Sequence, residues 1–251
     1  MRKLPQSPVP SPQSPVPSPQ SPVPSPFYAM DQSRIKLLEL KLRAKALNER
    51  KAALDELASL PSEVAVPILQ KLAIEKDVGL CRLAVMGLGN HRTEASFQAL
   101  QEILEHNRDA NVLSEAANSL LEFGDVAIPL LQQLFERTDN WLVRSSVIYM
   151  LMESQHHEVL LALAMDSLED ETPFVQEAGI LALGQVLKSS LKNQALALLT
   201  ELAEDSSWQK RWRVAIALQG CQDPQAKQLI AKLQQDEHFR VVAAALETAS
   251  E

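Results

Sequence analysis

Apolar positions recur along this chain in blocks, and the blocks themselves recur. The clearest block reads Leu80-Cys81-Arg82-Leu83-Ala84-Val85-Met86-Gly87-Leu88-Gly89. Cast as a template, it has a position r, a small residue at r+3, an apolar residue at r+4 and Leu at r+7. Position r falls at Cys81, Leu113, Arg144, Gln176, Arg211 and Arg240, so successive copies lie 32, 31, 32, 35 and 29 residues apart. The r+3 residues are Ala84, Ala116, Val147, Gly179, Val214 and Ala243, and r+4 is Val85, Ala117, Ile148, Ile180, Ala215 and Ala244. Leu88, Leu120, Leu151, Leu183 and Leu218 fill r+7; the sixth copy has Leu246 one place early. Residues at these spacings share one side of an α-helix, so each copy predicts an amphipathic helix with that side buried. A fixed period in this range marks a stacked-repeat protein.

A second helical block precedes each copy; we term it helix A and the template helix B. Val64-Ala65-Val66-Pro67-Ile68-Leu69-Gln70-Lys71-Leu72 matches Val126-Ala127-Ile128-Pro129-Leu130-Leu131-Gln132-Gln133-Leu134, 62 residues or two periods later. Pro67 and Pro129 are expected in a first helical turn, where no N–H is needed. The other A blocks span about 93–106, 156–168, 191–204 and 223–234. The A-to-B turns carry Asp77, Asp109, Asp139, Asp170, Asp205 and Asp236, each placed to cap the following helix. Gly89, Gly124, Gly184 and Gly220 are expected to end the B helices.

Residues 30–60 read as one amphipathic N-terminal capping helix, with Asp31 or Ser33 as N-cap and Leu37, Leu40, Leu47, Leu54 and Leu57 on its apolar side. Its many Lys and Arg suit the polar outer face that a terminal unit must present. Residues 6–26 are three identical copies of Gln-Ser-Pro-Val-Pro-Ser-Pro. Proline fixes φ and lacks an N–H, so residues 1–29 are expected to be a disordered, polyproline-like arm. Such a tract can serve a groove that reads polyproline, yet copies alike in every residue also fit plain duplication. The predicted fold is therefore all-α: a right-handed α-solenoid of about six helical pairs over residues 61–251, a capping helix before it, and the arm.

Composition narrows the class of function. Aromatics are 4% of 251 residues, and the formal charge is −8. Residues 1–29 contribute Arg2 and Lys3 and no acid, which leaves 22 basic against 32 acidic groups, or −10, for the rest. That balance speaks against nucleic acid as a partner, which requires clustered cations. Two distant cysteines, Cys81 and Cys221, point to a reducing, cytoplasmic setting rather than a disulfide framework. No apolar run is long enough to span a membrane.

The turn acid, the Arg that follows it, and the small and Leu positions resemble HEAT repeats. More narrowly, the short period and the endings Ala84–Gly89 and Ile180–Gly184 are similar to the HEAT-like repeats of the phycobilisome (bilin) lyase family. The resemblance covers about residues 60–249. It implies that position-r arginines pair with the turn acid of their own or a neighbouring repeat, in a ladder of Asp139, Arg144, Asp205, Arg211, Asp236 and Arg240. Cys81, Leu113 and Gln176 interrupt that ladder in the first half. It also implies that the B helices line a concave face, with positions r+1 and r+5 turned into the groove. These include Arg82, Met86, Asn118, Tyr149, Glu177 and Trp212, a mixture suited to gripping a protein.

Trp208-Gln209-Lys210-Arg211-Trp212-Arg213 is the least ordinary hexapeptide. Trp208, Lys210 and Arg213 are a candidate site for a planar anionic ligand; packing in the inter-repeat turn is the plainer alternative. His156 and His157 point about 100° apart on a helix, so they do not chelate one ion readily, and no metal site is expected. No catalytic grouping stands out either. The leading expectation is a non-catalytic adaptor, assembly factor or chaperone with a protein partner and no cofactor. The alternative, implied by the resemblance, is a bilin lyase or lyase subunit that handles a phycobiliprotein or works with a second lyase-like chain. A DNA-glycosylase-like HEAT fold needs a basic groove, which the charge balance opposes. Met30 follows the Pro-rich tract directly and is a second candidate start of translation. Mass spectrometry of the native N-terminus tests this: a peptide from residues 6–26 shows that the longer chain is made.

Overall fold

The computed structural model describes residues 32–249. The Pro-rich arm, the N-cap expected at Asp31 and the candidate start at Met30 lie outside the described residues. Within them the chain is helical throughout, with no strand. The helices are α1 Gln32–Leu42, α2 Leu47–Ala58, α3 Ser62–Ala73, α4 Val78–Asn90, α5 Glu94–His106, α6 Ala110–Leu121, α7 Ile128–Arg137 and α8 Trp141–Met152. There follow α9 His157–Leu168, α10 Pro173–Val186, α11 Lys192–Leu202, α12 Trp208–Ala217, α13 Pro224–Leu233 and α14 Phe239–Ala249. They form an α-solenoid of antiparallel pairs. Helices α3 to α14 are the six expected pairs, repeats 1 to 6, with the even-numbered helices in the B position.

Neighbouring B helices pack along their length, whereas neighbouring A helices touch more sparingly. The B layer is thus the tighter, inner side of the stack. Small residues make this possible. Ala84, Ala116, Ala117 and Ala178 are fully buried, and so are Leu88, Leu120, Leu151, Leu183 and Leu218 at r+7. Each such leucine withdrawn from water is worth about 1.5–3 kcal/mol. At four glycines, Gly87, Gly89, Gly179 and Gly184, an added Cβ would come within 3.0 Å of a neighbour. A Cβ on Gly179 would stand 2.7 Å from Ser167 Cβ on the A helix of the same repeat, and one on Gly184 would stand 2.5 Å from the carbonyl oxygen of Ala217 in the next B helix. Gly184 therefore lies within α10 and serves close packing instead of ending the helix, as does Gly89 within α4. Gly124 and Gly220, at φ +73° and +72°, are the ones that terminate helices.

The N-terminal cap differs from expectation. Residues 32–58 are two antiparallel helices, not one. Their buried residues, Leu38 and Leu42 against Ala53, Leu54 and Leu57, are eleven residues apart across the break. Eleven residues are about three helical turns, so the same stripe stays in phase whether or not the chain reverses, and neither Gly nor Pro marks the bend. The pair is a further repeat. With r at Arg50, 31 residues before Cys81, the template gives Ala53, Leu54 and Leu57 at r+3, r+4 and r+7, all buried.

The sixth copy also shifts. Ala243 and Leu246 are exposed, while Val241, Ala244, Ala245 and Thr248 are buried. Position r there is Val241, one residue later than the arginine pattern indicates. Pro67 likewise lies in the second turn of α3, because that helix already begins at Ser62. Pro129 opens α7 as expected, after a 3-10 turn at Gly124–Ala127.

Gly184→Ala tests the tight B layer. Alanine gains about 1 kcal/mol of helix propensity, but overpacking a filled contact costs about 1–3 kcal/mol, and here the obstacle is backbone. We expect a net loss of stability, read as a lower urea midpoint with unchanged helicity before unfolding.

Candidate functional site

The turns between A and B helices determine what the outward surface holds, and they are of two kinds. In repeats 1 to 3 the cap sits four residues before r: Asp77 accepts from Leu80 N (3.0 Å), Asp109 from Asn111 N (2.9 Å) and Asn140 from Leu142 N (3.0 Å). Asn140, not Asp139, caps α8; Asp139 is exposed and belongs to no ladder. In repeats 4 to 6 the acid stands earlier and folds its own turn, accepting the N–H two residues on: Asp170 from Thr172 (2.7 Å), Asp205 from Ser207 (2.7 Å), Asp236 from His238 (2.8 Å). This uses one carboxylate oxygen and leaves the other free.

At Asp170 and Asp236 that oxygen takes the arginine of the preceding repeat. Arg144 Nε lies 3.0 Å from Asp170 Oδ2, an ion pair not aligned as a hydrogen bond, with its guanidinium 4.2 Å above the Phe135 ring. Arg211 grips Asp236 with two hydrogen bonds, Nε to Oδ2 at 2.7 Å and Nη2 to Oδ1 at 3.0 Å, and reaches Glu237 at 3.3 Å. The ladder thus runs forward to the next repeat. Arg240 is not a rung: it is exposed, one residue before position r, and lies over the Trp208 ring at 5.3 Å. Asp205 meets Arg211 only through its backbone carbonyl (2.8 Å), while its carboxylate takes Lys210 at 3.3 Å.

That carbonyl contact recurs. The position-r side chain donates to the carbonyl six residues earlier in four repeats: Arg50 to Ala44, Cys81 to Glu75, Gln176 to Asp170 and Arg211 to Asp205. Cys81 is therefore a working substitute for Arg at this point, not merely a gap. Burial, then the nearby Asp77, Glu75 and Asp109 charges, push its thiol pKa up, so it stays protonated and inert at neutral pH.

Where position r is Cys81 or Gln176, a second clasp bridges to the next repeat instead. Arg82 at r+1 pairs with Glu115 on α6 at 3.1 Å, and Glu177 at r+1 pairs with Arg213 on α12 at 2.6 Å. Two residues expected to face a partner are thus engaged between repeats. Arg82 keeps about half its side chain exposed, but Glu177 is largely covered. Ser145 at r+1 is buried and donates to Trp141 O. The outward surface of the B layer that remains comprises Met86, Asn118 and Tyr149, all exposed, and Trp212, half-buried with Arg213 stacked on it at 4.3 Å.

The anionic-ligand site does not assemble as expected. Lys210, Arg211 and Arg213 each have a carboxylate, and Trp208 lies flat against His238 with ring centroids 4.0 Å apart and 2° between planes. Among the described residues no group of His, Cys, Asp or Glu could hold a metal ion, and His156 instead meets Asp125 at 2.9 Å. The clefts are open and shallow; one of about 390 Å³, between α10 and α12, has Leu181 and Ile216 at r+5 on its wall. No helix among the described residues is long and apolar enough to cross a membrane. The seventh repeat and the second clasp were missed from sequence. Arg50 at one period before Cys81 signalled the first, and opposite charges at r+1 and r+2 of successive copies signalled the second.

Residues 80–152 match the family model for HEAT repeats. The chain carries HEAT repeats over those residues, and the sequence template recurs on either side of them. No curated protein sequence matches the chain. Among solved structures, YibA of E. coli is 16% identical with a TM-score of 0.58, covering 90% of this chain and 86% of that one. The complex of CpcE and CpcF of phycocyanin lyase from Nostoc sp. is 18% identical at TM-score 0.44, over 94% of this chain and 99% of that one. A computationally designed armadillo repeat protein for modular peptide recognition is 17% identical at TM-score 0.41, over 86% and 98%. At these identities the likeness is one of fold.

Arg211→Leu tests the ladder. Removing one partner of a buried pair costs about 3–5 kcal/mol, because Asp236 is left charged and covered. Its hydrogen bonds from Arg211 hold the Asp236 pKa below the usual carboxylate value. A depressed folded pKa gives stability that is present above the unfolded value of about 3.9 and lost as pH falls through the folded one. The gap between wild type and variant in urea midpoint should therefore be full at pH 7 and narrow below about pH 4.

Proposed function

We propose that this protein is a non-catalytic binding module whose B-helix surface grips a partner protein. The observation that carries this reading is the outward column of the B layer. Met86, Asn118 and Tyr149 project from successive B helices, and Trp212 continues the column two repeats on. Trp212, at r+1, stands on the same side of its helix one turn before the r+5 level, and all four are on helices whose spacing is fixed by close packing, so the surface is organised before a partner arrives. That arrangement suits recognition, since a rigid surface loses little freedom on binding. Met, Asn, Tyr and Trp combine adaptable apolar area with hydrogen-bonding groups, and aromatic anchors dominate interface energetics. A HEAT and armadillo type of stack supports a scaffold role in general terms.

The chromophore-handling alternative draws on the resemblance of the repeats to those of bilin lyases. A bilin carries carboxylates, and the cations nearest the aromatic cluster are engaged with Asp205, Asp236 and Glu177. This favours the partner-binding reading.

Affinity capture from the native organism, followed by mass spectrometry and an absorbance scan, separates the two. A specific partner without visible absorbance is expected. Recovery of phycobiliproteins with bound colour would overturn the reading in favour of the lyase. Tyr149→Ala and Met86→Ala each remove an exposed side chain and should leave helicity intact while weakening partner affinity about tenfold, as loss of a central contact does. Unchanged affinity in both would place the partner elsewhere.

A further inference from the structure

Aromatic side chains stand where the B helices of repeats 3 to 6 begin, at positions r−3 and r−2. Trp141 in repeat 3 and Phe174 in repeat 4 form one pair, with ring centroids 5.4 Å apart; Trp141 is 46% and Phe174 62% exposed. Trp208 in repeat 5 and Phe239 in repeat 6 hold the same two positions two repeats on, with His238 stacked on both. That second cluster has a cation of its own: the Arg240 guanidinium lies 5.3 Å from the Trp208 ring centroid and 5.9 Å from that of Phe239. Arg240 stands at r−1 of its repeat. The r−1 residue of repeat 4 is Val175, fully buried, and among the described residues no cation lies over Trp141 or Phe174.

The charge around the first pair is one-sided. Asp139, Glu169 and Glu171, in the turns that lead to Trp141 and Phe174, are exposed, and among the described residues none of them is in an ion pair. The cations nearest in sequence are engaged within the fold: Arg137 donates to the Leu104 carbonyl, and Arg144 pairs with Asp170. The ends of α7 and α9 meet the beginnings of α8 and α10 at this edge. Their dipoles, about half a charge each and of opposite sign, cancel there. Two exposed rings are thus flanked by three carboxylates that nothing in the fold offsets.

We propose that the Trp141–Phe174 pair receives an arginine or lysine side chain of the partner protein, so that the segment seated on the B-helix surface is basic. This rests on the reading of that surface as the partner's site and adds the chemistry of what it takes. A guanidinium or ammonium over an aromatic face is attracted by the ring quadrupole, and its N–H groups can turn to the flanking carboxylates. Arg240 over Trp208 and Phe239 is the same contact made within the chain. The pair is continuous with the outward column. Trp141, Ser145 and Tyr149 lie at i, i+4 and i+8 on one side of α8, which puts Trp141 about 12 Å from Tyr149 along the helix axis. An extended segment covers that distance in about three or four residues, the expected separation between its cation and the residue that meets Tyr149.

The three tryptophans, Trp141, Trp208 and Trp212, make the test direct. A capped pentaarginine peptide is titrated into the full chain at low salt while the indole N–H signals are followed by NMR, with Trp141→Phe identifying the Trp141 signal. That signal is expected to move and to saturate at millimolar peptide, with Trp208 and Trp212 little affected, and a capped pentaglutamine peptide should leave all three in place. Phe174→Ala should weaken the response about threefold, and Asp139→Asn, Glu169→Gln and Glu171→Gln together about tenfold. All four side chains are exposed, so helicity should be unchanged. A Trp141 signal that stays fixed at several millimolar pentaarginine, or moves equally in the triple variant, would overturn the proposal. So would a Trp141 signal that shifts on tenfold dilution without peptide, by assigning the pair to a second copy. The captured partner separates this inference from the reading beneath it. If Trp141→Ala leaves partner affinity unchanged while Tyr149→Ala lowers it, the basic segment is wrong and the B-helix site stands. If Tyr149→Ala and Met86→Ala both have no effect, the site itself is wrong.

Discussion

The close approach of one B helix to the next is the constraint on which the rest of this molecule depends. It requires small or absent side chains at fixed points, and the chain supplies Gly89 against Ser119 and Gly184 against the Ala217 backbone, each in the next B helix. Two buried hydroxyls work at the same seam. Ser119 Oγ donates to Val85 O at 3.1 Å, and Thr248 Oγ1 donates to Ala215 O at 3.0 Å, each reaching the B helix of the preceding repeat. A helical carbonyl has a second lone pair to offer, so these bonds satisfy buried hydroxyls without opening either helix. Because the A helices are not held so near each other, the stack bends toward the B side, and the outward B residues come to share one inner surface.

Apolar packing alone leaves the angle between repeats loosely set, since it is non-directional. The charged clasps supply direction, and the chain uses two forms in alternation. Arg144 and Arg211 bridge forward to turn acids from position r; Arg82 and Arg213 meet Glu115 and Glu177 across the B layer where position r holds Cys81 or Gln176. The junction between repeats 2 and 3 has neither form, for position r is Leu113 and the following serines carry no charge. There Arg137 on α7 donates instead to the Leu104 carbonyl on α5, from the A layer. A bond on the outer layer restrains that hinge from the opposite side, so the middle of the stack is held differently from its ends.

What the sequence made legible was whatever depends on period. The helical pairs, their order and nearly all A-helix bounds follow from the recurrence of small and leucine positions, because burying one side of a helix constrains every third or fourth residue. The reversal in the cap leaves no mark on the pattern, because an eleven-residue spacing keeps Leu42 and Ala53 in phase through it. The arginine pattern puts position r of the last repeat at Arg240, whereas burial selects the apolar Val241. Site residues were harder still. A lysine or arginine looks the same in sequence whether it faces a ligand or a carboxylate one repeat away, and only the fold brings Arg213 to Glu177 or Lys210 to Asp205. Separations of about one period between opposite charges are the signal that does survive in sequence.

The division between clasp and outward column also bears on where recognition is centred. Arg82 and Glu177 are bound to their neighbours, so a change at either alters the fold together with the surface. Asn118 and Tyr149 carry no such duty. They lie on α6 and α8, which flank the junction that lacks a charged clasp in the B layer. A partner seated there would meet two side chains free to adopt its shape, beside a seam whose charged restraint lies in the far layer. Binding at that seam can adjust the stack slightly while the clasped junctions on either side stay fixed. Adaptability is thereby concentrated at the centre of the B surface and rigidity toward its ends.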